Sequence, residues 1–246
     1  MIAVVALPAL RPGDGGPDRA AGLGAVAARA AVEAGGRVEL VGKIGDDGAG
    51  DALVLALARD GIGHAALQRD PAHPTPLVQL AAAASPDDEV ADETLGQVLV
   101  AGTGEPGAEP PASAAAGPGS PVGPALLPND AGVRPGLDGP DVELALRYLA
   151  DVRVVVVTEP LAGATAAAVA GAAAFGGAQL VAVIPAGSEP PAPFGSATVL
   201  EAPADDPDDR FGILLGTYAA GLDAGSPPEQ AFEQAVVRAG WEAAGA

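Results

Sequence analysis

The sequence predicts an α/β domain built on a mostly parallel sheet. Residues 152–158 read VRVVVVT, and an unbroken valine run is typical of a strand that is buried on both faces. Strand and helix patterns alternate over residues 38–58 and again over 152–184, which is the order of a doubly wound fold. Hydrophobic residues make up 49% of the chain but aromatic residues only 3%. We therefore expect a core of alanine, valine and leucine, with helices packed closely on the sheet.

Charge and composition exclude several classes of function. The chain of 246 residues has 12 Lys and Arg against 32 Asp and Glu, a net charge of −20. Such a balance argues against a nucleic-acid partner and against binding to an anionic membrane surface. The absence of cysteine excludes disulfides and thiolate metal sites. With neither a long apolar run nor a basic leader in the sequence, we expect a single cytoplasmic domain, residues 1–246.

The first half of the chain predicts strands, helices and a lid. We expect a strand over residues 2–6, a Gly/Pro/Asp loop over 8–17, a helix over 20–34 and a strand over 38–41. A Gly/Asp loop and a helix over 51–59 follow. Short strand candidates at 65–68, 77–82 and 97–101 are separated by turns and look antiparallel, so we predict a reduced β lid over 65–101. Residues 102–136 are rich in Gly and Pro and predict a long loop.

The second half predicts the rest of the sheet and its helices. The valine strand at 152–158 lies between helices predicted at 141–150 and 161–175. Glycines 176 and 177 end the second of these helices, and strands follow at 179–184 and 198–200. Two last helices are expected at 210–224 and 228–244.

Several motifs resemble the ribokinase-type (phosphofructokinase-B-like) carbohydrate kinases. The order is Ala21-Gly22-Leu23-Gly24-Ala25, an alanine-rich helix, a strand, and then the loop Gly42-Lys43-Ile44-Gly45-Asp46-Asp47. Residues 154–161 resemble the family's later central strand with its Glu/Pro loop, and residues 211–244 resemble its terminal helices. The resemblance implies a ribokinase-like three-layer sandwich with a mostly parallel central sheet. It also implies a sugar site at Gly22 and Gly24, and ATP with Mg²⁺ as cofactors of an active member.

The residues that the family uses for catalysis are altered in this sequence. The resemblance implies a Gly-Ala-Gly-Asp motif at a helix start, where backbone N–H groups bind the transferring phosphate and the aspartate takes a hydroxyl proton. The matching residues are Asp206-Pro207-Asp208-Asp209, so only the catalytic Asp209 is retained. The two carboxylates that replace glycines add negative charge where phosphate would bind. Val26 stands where the family has a sugar-binding Asn. The resemblance also implies a nucleotide-binding segment before the catalytic motif, and the sequence lacks it between residues 200 and 205.

Three short motifs admit more than one interpretation. Gly48-Ala49-Gly50-Asp51 spells the catalytic tetrapeptide, but its position favours an ordinary helix start. The acidic run at 205–209 predicts a helix cap with proline in the first turn; a catalytic base at Asp209 and a metal site at Asp205 and Asp206 remain alternatives. Lys43, the single lysine, predicts a structural ion pair rather than a phosphate contact.

The function hypothesis is a degenerate carbohydrate-kinase-like protein that lacks phosphoryl transfer and acts as a binding or structural module. Its ligand would be a sugar or a nucleoside, and the lid strands could join two copies into a homodimer. The alternative is a divergent ATP-dependent kinase of a sugar, nucleoside or related alcohol, with Asp209 as base. A third hypothesis is an acidic cation-binding protein without enzymatic activity.

Overall fold

The computed structural model describes residues 1–78, 134–206 and 208–241. Eight strands, six α-helices and one short 3₁₀ helix make up these ranges. In chain order they are β1 (Ile2–Val5), β2 (Ala9–Arg11), β3 (Arg19–Ala21), α1 (Leu23–Glu33), β4 (Val38–Gly45), α2 (Gly48–Arg59), β5 (Leu67–Asp70), α3 (Gly139–Tyr148), β6 (Val154–Val157), α4 (Gly163–Gly176), β7 (Gln179–Pro185), the 3₁₀ helix (Ala192–Phe194), β8 (Thr198–Ala202), α5 (Arg210–Asp223) and α6 (Pro228–Arg238).

Six parallel strands form the central sheet in the order β5-β4-β1-β6-β7-β8. The valine run predicted as the central strand is β6, and all four of its residues are buried. It pairs with β1, with Ile2 opposite Val154. The chain moves outward from β1 through β4 to β5 and then returns to the other side of β1 with β6. The direction of winding therefore reverses between β1 and β6, which makes this the topological switch point of the sheet.

Helices cover both faces of the sheet, so the domain has three layers. The core on one face is formed with α1, α2, α5 and α6, and the core on the other face with α3 and α4. Small residues let the helices approach closely on the first face: a Cβ at Gly216 of α5 would lie 2.1 Å from the carbonyl oxygen of Ala27 in α1. This packing explains how a core with few aromatic residues is filled. The predicted fold class is confirmed.

An antiparallel ribbon lies where the sequence predicted a loop over residues 8–17 and the start of a helix at residue 20. Strands β2 and β3 pair with Ala9 opposite Ala21, and residues 76–78 run beside β2 through hydrogen bonds to Leu10. The prediction was wrong because strands of three residues carry too little periodicity to be recognised. Helix α1 consequently begins at Leu23 rather than at residue 20, since residues 20 and 21 belong to β3 and Gly22 precedes the helix.

The antiparallel arrangement expected for the first strand after α2 is also wrong. Strand β5 pairs in parallel with β4 and extends the edge of the central sheet. A strand that returns through a helical crossover enters the sheet in the direction of the strand before it, so β4-α2-β5 is an ordinary βαβ unit. Residues 79–101 of the predicted lid and 102–133 of the predicted loop lie outside the described residues.

Local interactions fix the remaining elements. Lys43 of β4 forms an ion pair of 2.5 Å with Asp141 of α3, which confirms the structural role predicted for this lysine. The hydrogen bond from Lys43 to Asp141 raises the pKa of the lysine, against the opposing effect of burial. Asp138 and Asp141 form a capping box at the start of α3.

Helix α6 ends at Arg238, six residues earlier than residue 244, where the sequence pattern ended it. Among the described residues, no helix is both long and apolar enough to cross a membrane.

Candidate functional site

A cavity of about 310 Å³ opens at the carboxyl ends of β1 and β6. Open α/β sheets bind ligands in the crevice at the topological switch point, and this cavity lies there. Its walls come from the end of β1, the β2/β3 ribbon, the start of α1, the loop after β6, and the connection from β8 to α5.

The floor of the cavity depends on a close contact between α1 and the sheet. Gly24, in the first turn of α1, lies so near the end of β1 that a Cβ there would be 2.2 Å from the Cβ of Ala6. The same Cβ would lie 2.9 Å from the hydroxyl oxygen of Thr158, which itself donates to the carbonyl of Val5 at 3.3 Å. Only glycine lets the helix start this close to the switch point.

Glu159 follows β6 and lines the cavity next to the end of β1. Its Oε1 accepts a hydrogen bond of 3.4 Å from the backbone N–H of Leu7. Burial raises the pKa of Glu159, and the Leu7 N–H and the positive charge of Arg134 oppose that rise only in part. A carboxyl group of this kind accepts hydrogen bonds when ionised and can also donate one when protonated.

Two guanidinium groups also line the cavity. Arg11 comes from β2 and Arg134 from the segment that leads to α3. The Nε of Arg11 is buried and has no hydrogen-bond partner among the described residues. Within the same ranges, neither arginine forms an ion pair with a carboxylate.

The connection between β8 and α5 supplies the acidic wall. The Oδ2 of Asp206 accepts a hydrogen bond of 2.9 Å from the backbone N–H of Phe211, in the first turn of α5. Asp209 is the residue before the helix, has a left-handed backbone (φ 56°) and makes no capping hydrogen bond with its side chain. Asp206 therefore caps α5 in place of the residue that usually does so. Helix α5 begins only at Arg210, later than the prediction of a proline in its first turn requires.

The residues predicted from the sequence are only partly brought together. Gly22, Asp205, Asp206 and Asp209 all line the cavity, whereas Gly24 is buried beneath it. Within the described ranges, no three His, Asp or Glu side chains are arranged to hold a metal ion. A cation at Asp205 and Asp206 would therefore need ligands from elsewhere, and that site stays a prediction.

Three cavity residues were not predicted as site residues. Arg11 and Arg134 lie in segments that sequence analysis assigned to loops, and Glu159 was noted only as part of a family-like loop. Polar residues directly after a buried strand do carry a signal, since the carboxyl ends of parallel strands meet at one edge of the sheet. That signal points to Glu159, but no local pattern points to the arginines.

The Gly48-Ala49-Gly50-Asp51 sequence starts a helix away from the cavity, as predicted. Asp47 caps α2: its Oδ1 accepts from the N–H of Gly50 at 2.7 Å and from the Thr75 hydroxyl at 2.7 Å. Burial opposes its ionisation, but the hydrogen bonds from Thr75 and Gly50 outweigh that effect and lower the pKa of Asp47. Asp51 lies in the first turn and pairs with Arg69 at 2.7 Å. This loop is structural.

A larger cavity of about 680 Å³ lies between α3 and α4. Its lining is mainly alanine and other apolar residues, and it includes residues that precede β6 and β7, such as Val152 and Ala178. It is therefore next to the amino ends of the strands, the edge at which open parallel sheets do not bind their ligands. The switch-point cavity is the better candidate despite its smaller volume.

Comparison with known proteins identifies the fold. No protein-family model and no curated protein sequence matches the chain. Among solved structures, a PfkB protein from Polaromonas sp. JS666 superposes with a TM-score of 0.60 at 13% identity, over 97% of this chain and 94% of its own.

Two further solved structures are complexes with bound ligands. A putative ribokinase II from E. coli, in complex with ATP and Mg²⁺, has a TM-score of 0.59 at 11% identity, over 95% of this chain and 89% of its own. Arabidopsis thaliana ribokinase, complexed with ribose and ATP, has a TM-score of 0.53 at 14% identity, over 97% and 90%. At these identities the likeness shows the fold: the chain has the ribokinase-like α/β fold that its sequence predicts.

Proposed function

We propose that this protein binds a small polar molecule in the switch-point cavity and does not transfer phosphate to it. The fold supports a function related to that of carbohydrate kinases. The cavity has the position and the polar lining of a small-molecule site. The proposal that catalysis has been lost depends on one contact, the hydrogen bond from the Phe211 N–H to Asp206.

A free helix N-terminus binds phosphate because its N–H groups are unpaired and its dipole favours negative charge. In this chain a carboxylate already uses an N–H group of α5, at the position where the resemblance places the transferring phosphate. Two like charges ~4 Å apart repel by ~4 kcal/mol at an effective dielectric of ~20. Such a repulsion corresponds to a loss of roughly a thousandfold in phosphate affinity.

The short link between β8 and α5 supports the same proposal. Strand β8 ends at Ala202 and α5 begins at Arg210, so seven residues, 203–209, join them. The resemblance implies further strands for the nucleotide before the catalytic motif. Seven residues, four of them aspartates, do not have the length to form such strands.

The test is a phosphotransfer assay with the full chain. Mg-ATP is supplied with each member of a panel of sugars, sugar acids and nucleosides, and formation of ADP is followed. We expect no ADP formation above the rate without acceptor. Acceptor-dependent ADP formation that disappears in Asp209→Asn would overturn the proposal.

One observation favours a divergent kinase as the second candidate. The carboxylate of Asp209 is exposed on the cavity wall and makes no capping hydrogen bond, so it is available to accept a proton from a bound hydroxyl. This candidate requires a cation between the aspartates and a phosphate. It therefore predicts nucleotide binding that depends on Mg²⁺ and is lost when the metal is chelated.

A further inference from the structure

The lining of the switch-point cavity is bipolar. Positive groups come from the ribbon side, where Arg11 lies on β2, and from Arg134. Negative groups come from a different part of the chain, the connection after β8, which carries Asp205 and Asp209. A ligand that fits this cavity has to meet a guanidinium at one part of its surface and carboxylates at another.

Arg11 is placed to bind a ligand rather than to stabilise the ribbon. It lies directly across the ribbon from Arg19, so two like charges face each other on adjacent strands, an arrangement that destabilises a sheet. Neither arginine pairs with a carboxylate within the described ranges. The buried Nε of Arg11 loses hydration without gaining a partner there, and an anionic ligand group would supply that partner.

The acidic wall determines what the rest of the ligand must be. Asp205, Asp209 and an ionised Glu159 can only accept hydrogen bonds, so they suit hydroxyl groups. They repel a ligand that is charged over its whole surface, such as an inorganic phosphate or sulfate. A neutral polyol would satisfy the carboxylates but would leave the guanidinium of Arg11 without an anionic partner.

We infer that the cavity binds a polyhydroxylated carboxylic acid, with its carboxylate on Arg11 and its hydroxyls towards the acidic wall. This inference rests on the proposed function, because it names the class of molecule that the same cavity takes. A carboxylate matches the fork of an arginine and brings a single negative charge. A phosphate ester brings nearly two, so the carboxylate is better suited to a cavity with an acidic wall.

Calorimetric titration with four probes tests the inference. Gluconate carries both hydroxyls and a carboxylate, glucitol replaces the carboxylate by a CH₂OH group, and acetate keeps the carboxylate without hydroxyls. Glucitol 1-phosphate carries a phosphate ester at C1, where gluconate has its carboxylate. We expect gluconate to bind at least about tenfold more tightly than any of the other three. The loss of a hydrogen bond to a charged group weakens binding by about this factor or more.

Two matched variants locate the binding to the ribbon. Arg11→Gln should weaken gluconate binding by about tenfold and leave glucitol binding unchanged. Arg19→Gln removes the same charge from the same ribbon but does not line the cavity, so gluconate binding should stay within about twofold. Equal effects of the two variants would overturn the inference.

Other outcomes also decide against the inference. If glucitol binds as tightly as gluconate, the cavity does not recognise the carboxylate. If the phosphate ester binds more tightly than gluconate, the cavity prefers a phosphate to a carboxylate. No binding of gluconate at millimolar concentration would reject it outright. The titrations contain neither nucleotide nor metal, so their outcome is independent of phosphoryl transfer, which only the ADP assay reports.

Discussion

Asp206→Ala is the substitution that examines the start of α5 most closely. The variant removes the acceptor that the Phe211 N–H meets at 2.9 Å. Loss of an N-terminal cap costs about 1 kcal/mol, within a range of about 0.5–2 kcal/mol. In a chain of this size each kcal/mol lowers the melting temperature by about 2–4 °C. We therefore expect Asp206→Ala to melt about 2–4 °C below the wild type.

Asp205→Ala is the matched control for that measurement. Asp205 is the adjacent residue, is exposed, and accepts no hydrogen bond within the described ranges. Its removal changes the net charge by the same amount, so any general effect of charge on stability appears in both variants. We expect Asp205→Ala to stay within about 0.5 kcal/mol of the wild type. If both variants melt at the same temperature, Asp206 is not the cap and the argument about the phosphate position is refuted.

Three more predictions follow from packing, backbone and charge. Gly216→Ala should lower the free energy of unfolding in urea by about 1–3 kcal/mol, because its Cβ meets the Ala27 carbonyl; wild-type stability would contradict the helix contact. Asp209→Gly should be more stable than Asp209→Ala by about 1 kcal/mol in calorimetry, because φ is positive there. Glu159→Gln should be more stable than the wild type at neutral pH. Since the pKa of Glu159 is raised, its charged form opposes folding, and the difference should vanish in unfolding curves below the ordinary pKa of 4.5.

The sheet and its layers could be predicted because they depend on local patterns. The valine run of β6 is buried on both faces, and such a run has few alternatives to a central strand of a parallel sheet. Helices that follow strands in alternation then cover both faces. The ends of the helices and strands were harder to predict than their order. Helix α1 begins later than its alanine-rich pattern because residues 20 and 21 pair with β2.

The ribbon was missed because its strands are held by distant contacts. Its Ala9 and Ala21 pack with Val78, which is far away in sequence, and residues 76–78 run alongside β2. Nothing within the three residues of either strand distinguishes them from a loop. The direction of β5 was available in principle, because the helix before it already implies a parallel return.

The residues of the site also fall into two groups: those that a local pattern reveals and those that depend on distant contacts. Asp209 and Gly22 were found through a motif, and the structure brings both to the cavity. The part played by Asp206 could be anticipated only as an acidic cap, since the bond to Phe211 depends on where α5 begins. Arg11 could not be predicted, because its role arises from the position of the ribbon over the switch point.

The most direct test of the central claim is a calorimetric titration of the full chain with Mg-ATP and with Mg-ADP. The carboxylate of Asp206 at the start of α5 and the short link before it predict no heat of binding up to millimolar nucleotide. Binding near micromolar concentration would contradict that account and would show that a nucleotide site exists in this fold.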